Sequence, residues 1–190
     1  MKSDIHFKKV AIIGVGLIGG SLAIMLRQEG ISDYIVGIGR GIKNLETAKK
    51  LGVIDEWTQD AKKGVKDADL IVVATPVASI AKIVKEILPS LKSGAIVTDV
   101  GSVKKSILDE IESILPDTIH FVAGHPIAGT ENAGVEAAFP ALFQNRKCII
   151  TPTEKTNKEV LHKIKILWEI AGSQVVLMGA LKHDKILAAV

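Results

Sequence analysis

Cysteine is almost absent from this 190-residue chain. Cys148 stands alone, so the chain has no disulfide framework and no thiolate metal cluster of its own. It sits in a Lys-Cys-Ile-Ile run that reads as buried strand, where a single thiol serves as a small core residue. No targeting segment is evident, so a reducing cytoplasm is the expected compartment. Aromatic residues make up only 4%, and 24 basic against 21 acidic residues leave a net charge of +3. The basic residues are scattered over the expected helices without aromatic interleaving, so no nucleic-acid platform is expected. A mild positive balance does suit anionic ligands. His6, His120, His162 and His183 show no metal-ligand spacing, and no metal site is expected. A long apolar run is also missing. Val10 to Leu26 is uncharged, but it falls short of the roughly 20 residues of a membrane span. It also contains four glycines, and no small-residue cleavage site follows it.

What is present belongs to a globular protein. The chain is 47% hydrophobic and 24% charged, and long enough for one domain plus an appendage. Strand and helix patterns alternate, which predicts a doubly wound, mostly parallel α/β sheet. Strands are expected at Val10 to Ile13, Tyr34 to Gly39, Asp69 to Ala74, Ala95 to Thr98, Ile119 to Ala123, Lys147 to Thr151 and Gln174 to Met178. The uninterrupted apolar run at 69–74 suits a central strand covered on both faces. Helices are expected after the first strand, at Lys43 to Leu51 with Gly52 as its left-handed stop, and at Ser79 to Leu88 before Pro89. A further helix carries the stripe Val103, Ile107, Leu108, Ile111, Ile114 and Leu115, and another runs from Asn157 to Ala171. Val53 to Lys66 is poorly patterned, and 132–146 is irregular with some helical character. Ala180 to Val190 begins a helical pattern and then stops without a cap; the expectation is a truncation, or an end buried by another chain.

The chemistry centres on Gly14, Gly16 and Gly19, which follow the first strand and open a helix. That is the dinucleotide fingerprint of a Rossmann-type sheet. The first glycine allows a tight turn, the second lets the backbone approach a pyrophosphate, and the third lets helix and strand pack closely. The helix N-terminus offers unpaired amides and a favourable dipole to the anion. Ligands of such sheets bind beyond the carboxyl ends of the strands. Four polar clusters fall there: Gly39-Arg40, Thr75-Pro76, Asp99 to Ser102, and Gly124 to Glu131. An acidic residue after the second strand takes the ribose hydroxyls of NAD, whereas an arginine accommodates the phosphate of NADP. Gly39 and Arg40, with Lys43 close behind, therefore favour NADP over NAD. Arg40 also reads as an exposed charge that stacks on adenine. Ser102 precedes a helix and reads equally as an N-cap, and Asp99 as a residue that satisfies turn amides. His125 is expected in a Gly-His-Pro-Ile-Ala-Gly loop at a strand end, where Pro126 keeps its backbone extended. An imidazole near its reference pKa of about 6.5 can accept a proton from a substrate hydroxyl at neutral pH.

The segments Gly14 to Ser21, Ala74 to Val77, Asp99 to Lys104 and Gly124 to Glu131 together resemble the prephenate/arogenate dehydrogenases of tyrosine biosynthesis. The resemblance implies oxidative decarboxylation of prephenate to 4-hydroxyphenylpyruvate, or of arogenate to tyrosine, with hydride passing to the nicotinamide as the ring becomes aromatic. It assigns His125 as the catalytic histidine and Ser102 as a serine that positions the same hydroxyl. Together with the glycine fingerprint and the charge pattern after the second strand, where Gly39 replaces the acidic residue many members carry, it places Gly14, Gly16, Leu17, Ile18, Gly19, Gly39, Arg40, Thr75, Pro76, Val77 and Asp99 at the cofactor, and Thr130 and Glu131 near the substrate. It divides the chain into a dinucleotide-binding domain, 1–179, and the start of a helical dimerisation domain, 180–190, opened by Leu181 to Asp184. That second domain would supply cationic groups for the substrate carboxylates and the contacts of a homodimer. Two other readings compete: a β-hydroxyacid or imine-type NADP reductase, and a non-catalytic NADP(H)-binding module. The first relies on a lysine in a different motif, and the second has no use for Ser102 and His125 together.

Overall fold

A computed structural model describes residues 5–189. Val190, the last residue of the helix expected from Ala180, lies outside the described residues. The core is a sheet of eight strands in the order β3-β2-β1-β4-β5-β6-β7-β8. In chain order, the strands and helices are β1 (Phe7–Ile13), α1 (Leu17–Gln28), β2 (Ser32–Ile38), α2 (Ile42–Lys50), β3 (Glu56–Thr58), α3 (Ala61–Val65) and β4 (Leu70–Val73). They continue as α4 (Val77–Ile87), β5 (Ile96–Asp99), α5 (Lys105–Glu112), β6 (His120–Pro126), β7 (Lys147–Ile150), α6 (Lys158–Ile170), β8 (Gln174–Leu177) and α7 (Ala180–Leu187). All neighbouring strands pair in parallel except β6 and β7. The doubly wound, mostly parallel expectation holds, and no helix among the described residues is long and apolar enough to cross a membrane.

The alternation of side chains along each strand builds two cores. In β1, Val10 and Ile12 face one cluster with Leu22 and Leu26 of α1, Leu45 of α2 and Trp168 of α6. Ala11 and Ile13 face the other, with Val65 of α3, Ile80 and Val84 of α4 and Ile107 of α5. Both faces of the central strands are therefore dry, which is why their sequences are nearly continuous apolar runs.

Three details differ from expectation. The poorly patterned stretch 53–66 contains β3 and α3. β3 has only three residues on the sheet edge, too few to show a period of two, and α3 is a five-residue turn held by the Asp60 side chain on the Lys63 amide. β6 runs on to Pro126, because after leaving β5 at Ala123 it pairs with β7 through Gly124–Pro126. α5 begins at Lys105, so Val103 precedes it and is 38% exposed, and Ile114 beyond its end is 37% exposed. The buried stripe narrows to Ile107, Leu108 and Ile111.

Candidate active site

The strand register brings the polar clusters into one row. Ile13 pairs with both Ile38 and Val73, Val73 with Asp99, and Asp99 with Ala123. The carboxyl ends of β1, β2, β4, β5 and the middle of β6 therefore open on the same edge. The order reverses between β1 and β4, which is the switch point where such sheets bind nucleotides.

The three glycines lie at that switch point, each with its own steric setting. Gly14 has φ +98°, and a Cβ on it would lie 2.3 Å from the Ala74 carbonyl oxygen. A Cβ on Gly19 would lie 2.2 Å from the Gly14 carbonyl oxygen and 3.0 Å from the Ile12 side chain, so α1 and β1 pack backbone to backbone. Gly16 is the N-cap of α1 with extended backbone and no side-chain cap, and a Cβ there would meet nothing within 4 Å. That open cradle before a helix N-terminus fits a pyrophosphate. Leu17 and Ile18, both half-buried, form the first turn beside it.

Sequence reasoning missed the residue that braces this turn. The Asn44 amide donates to the Val15 carbonyl at 2.7 Å and accepts from the Val135 amide at 3.1 Å. It ties the glycine turn, α2 and the 3-10 turn Val135–Ala137 together. Only its polar character marked it, since nothing local predicts a partner ninety residues away. Ser21, fully buried on α1, accepts from the Phe139 amide at 3.0 Å and anchors the same segment.

Arg40 is exposed. Its carbonyl accepts from the Gln59 side chain at 2.6 Å, and no carboxylate takes its guanidinium among the described residues. Half-buried Gly39 precedes it at the mouth of the row. Thr75 and Pro76 turn the chain from β4 into α4, with Ser79 donating to the Pro76 carbonyl at 2.7 Å. Val77 begins α4.

Asp99 satisfies turn amides, one of its two expected uses, and being fully buried it exposes no atom to a cofactor. It is fully buried, its carboxylate accepts from the Gly101 amide at 2.9 Å and the Gly124 amide at 3.3 Å, and it pairs with the fully buried Lys104. The Lys104 ammonium also donates to the Gly124 carbonyl at 2.8 Å. Burial pushes the Asp99 carboxyl up and the Lys104 ammonium down, and each group's charge opposes the other's shift. The pair thus locks the β5 exit to β6 just before His125. Removing one member strands a buried charge: Lys104→Met should lose about 3–5 kcal/mol in chemical denaturation. The double variant Asp99→Asn/Lys104→Met should recover part of that loss.

Ser102 is exposed at the same edge and does not cap α5. The N-cap position is Lys104, and the amides of Lys104 and Lys105 are taken instead by the Asp184 carboxylate from α7, each at 2.9 Å. With capping supplied from α7, the exposed Ser102 is not needed as a cap. Thr130 and Glu131 are exposed on the loop after β6, where Thr130 accepts from the Asn132 amide at 3.2 Å.

His125 is half-buried on β6, not on a loop. Its Nδ1 lies 2.8 Å from Nε2 of His183, a fully buried residue of α7. Burial first, then the His183 ring and Lys104, push its pKa from 6.5 to about 4, against the pull of Asp184. The imidazole is therefore neutral throughout the physiological range. Cys148 is buried beside this strand, and burial pushes its thiol well above the ordinary range, which suits a core residue and not a nucleophile. No cluster of His, Cys, Asp and Glu among the described residues could hold a metal.

Together the sheet order, the glycine cradle and the polar row define a nucleotide-binding domain. Residues 22–177 match the family model described as prephenate dehydrogenase, nucleotide-binding domain, and the chain belongs to that family. The prephenate dehydrogenase of Bacillus subtilis is 35% identical over 95% of this chain, which covers 49% of that protein. A crystal structure of prephenate dehydrogenase from A. aeolicus with hydroxyphenyl propionate and NAD+ superposes with a TM-score of 0.89 at 37% identity, over 96% of this chain and 64% of that one. That of Synechocystis arogenate dehydrogenase gives 0.87 at 35% identity, over 95% and 63%. The chain thus spans between about half and two thirds of the length of these relatives.

Proposed function

We propose that this chain is the cofactor-binding and proton-accepting part of an NAD(P)-dependent dehydrogenase that oxidatively decarboxylates prephenate or arogenate. The observation that carries the reading is a neutral imidazole, His125, on the same sheet edge as an open glycine cradle. The A. aeolicus relative, whose structure holds NAD+ and a hydroxyphenyl ligand, supports the same pairing of cofactor and substrate class.

Gly14, Gly16 and Gly19 would hold the pyrophosphate, Arg40 the adenosine end, and Thr75, Pro76 and Val77 the nicotinamide side. The bound nicotinamide supplies a hydride acceptor. His125 takes the proton of the ring hydroxyl as hydride leaves the carbon that bears that hydroxyl. The bond to the ring carboxylate then breaks, carbon dioxide departs, and its electron pair completes the aromatic ring. His125 returns the proton to the phenolic oxygen. Ser102 would hold that hydroxyl against the histidine, with Thr130 and Glu131 beside the substrate. The substrate carboxylates need cationic partners, which we assign to a helical dimerisation domain that α7 would open. Turnover of prephenate and of arogenate by the full-length polypeptide tests the reading. Nicotinamide reduction with either substrate supports it, and bound nucleotide without reduction on both overturns it.

We further propose that NADP is the preferred cofactor, because Gly39 stands where a ribose-binding carboxylate would repel the extra phosphate, and Arg40 follows it. In paired equilibrium titrations NADP+ should bind more tightly than NAD+. Arg40→Ala should weaken NADP+ by about 10-fold, the worth of one charged hydrogen bond, and leave NAD+ nearly unchanged. Equal or tighter NAD+ binding by the unaltered chain contradicts the assignment.

A further inference from the structure

The His125 ring has a second and a third group behind it. His183 Nε2 meets His125 Nδ1 at 2.8 Å, with the rings edge-on, their centroids 5.1 Å apart and their planes 65° apart. On its far side, His183 Nδ1 lies 2.7 Å from Asp184 Oδ1. That oxygen also accepts from the Lys104 amide, and Oδ2 accepts from the Lys105 amide.

The protons along this chain follow by elimination. Burial works to raise the Asp184 carboxyl, but the Lys105 amide, the His183 ring and the Lys104 amide together hold it below its ordinary value. An ionised carboxylate only accepts hydrogen bonds, so the hydrogen at 2.7 Å belongs to His183 Nδ1. If His183 carries a single hydrogen, that hydrogen is on Nδ1 and its Nε2 is bare and can only accept. His125 must then donate from Nδ1, and the bare nitrogen of His125 is Nε2. With one hydrogen on His183, the alternative arrangement, with His125 Nε2 protonated, sets two bare nitrogens against each other at 2.8 Å. A His183 with hydrogens on both nitrogens would donate from Nε2 and give that alternative, and the spectrum below separates the two.

We propose that His183 and Asp184 are positioning residues that hold His125 in its Nδ1–H tautomer, leaving Nε2 as the atom that accepts the substrate hydroxyl proton. The proposal rests on reading His125 as the base, and it adds the atom and the two residues that select it. When Nε2 takes the proton, the new cation still points its Nδ1–H at His183, with the Asp184 carboxylate behind. The charge near His125 is set by His183 and Asp184 from α7 and by Lys104 from the loop before α5. Because Asp184 also holds the amides at the start of α5, the tautomer is tied to the docking of α7 on the sheet.

The test is a long-range proton–nitrogen correlation spectrum of the uniformly nitrogen-labelled chain at neutral pH, in which bare and protonated ring nitrogens resonate far apart. The expected spectrum shows His125 with a protonated Nδ1 and a bare Nε2. In His183→Phe, an apolar ring in the buried site, the signal of the bare Nε2 should diminish as the Nε2–H form appears, with nucleotide affinity unchanged. A wild-type His125 protonated at Nε2 overturns the proposal, as does a tautomer indifferent to His183→Phe. Should His183→Phe not fold, the wild-type spectrum decides alone. Loss of turnover in His125→Asn together with the wrong tautomer would reject this inference and keep His125 as base. The expected tautomer with undiminished turnover in His125→Asn would do the reverse.

Discussion

His125→Asn should lower turnover of prephenate or arogenate by about 10²–10⁴-fold, the usual worth of a positioned base, while nucleotide affinity stays at the wild-type value. The asparagine keeps a polar group on β6 opposite Ile149 but cannot take up a proton. The pH profile adds an independent check. Burial and the neighbouring His183 and Lys104 hold the His125 pKa at about 4, below the usual 6.5. A base works only when deprotonated, so activity is present above that value and lost as pH falls through it. The profile of kcat/KM, which reports the free enzyme, should therefore stay flat through 6.5 and bend near 4. A limb centred on 6.5 would show an imidazole with no buried partner.

The second large effect separates two glycines of one turn. Gly14→Ala places a Cβ at φ +98° and 2.3 Å from the Ala74 carbonyl oxygen, a backbone atom that cannot swing away. Left-handed strain and overpacking together should cost about 2–5 kcal/mol, read as a lowered midpoint in chemical denaturation. Gly16→Ala meets nothing within 4 Å and has φ −104°, which any residue adopts. Its stability should change by less than about 1 kcal/mol, yet nucleotide affinity should fall at least about tenfold because the methyl stands where a pyrophosphate approaches. Equal destabilisation by the two substitutions would mean that Gly16 serves the fold and not the ligand.

The contrast between these glycines also shows what a sequence makes legible. Their roles follow from local geometry, because a strand, a turn and a helix lie within twenty residues. The apolar runs at 10–13 and 70–73 announce central strands for the same reason: burial on both faces leaves no polar alternation. β3 stayed hidden because one exposed and two half-buried residues at a sheet edge carry no period. Asp99 was read both as a partner of turn amides and toward the cofactor, because a carboxylate at a strand end has two uses, and only the placement of Lys104 under the β5–β6 crossing decides between them. Asn44, His183 and Asp184 act across separations of 29 to 91 residues, which no local pattern encodes. For the last two the signal was present, since Leu-Lys-His-Asp opens a helix. It read as a boundary until the fold set that helix against β6 and α5.

The most direct test is the stoichiometry of the reaction in the full-length polypeptide, with reduced nicotinamide and carbon dioxide measured together as prephenate, then arogenate, is consumed. The expected result is one carbon dioxide released for each nicotinamide reduced on at least one of the two substrates, because aromatisation couples the two events. Reduction without carbon dioxide release, or nucleotide binding with neither substrate oxidised, would contradict it.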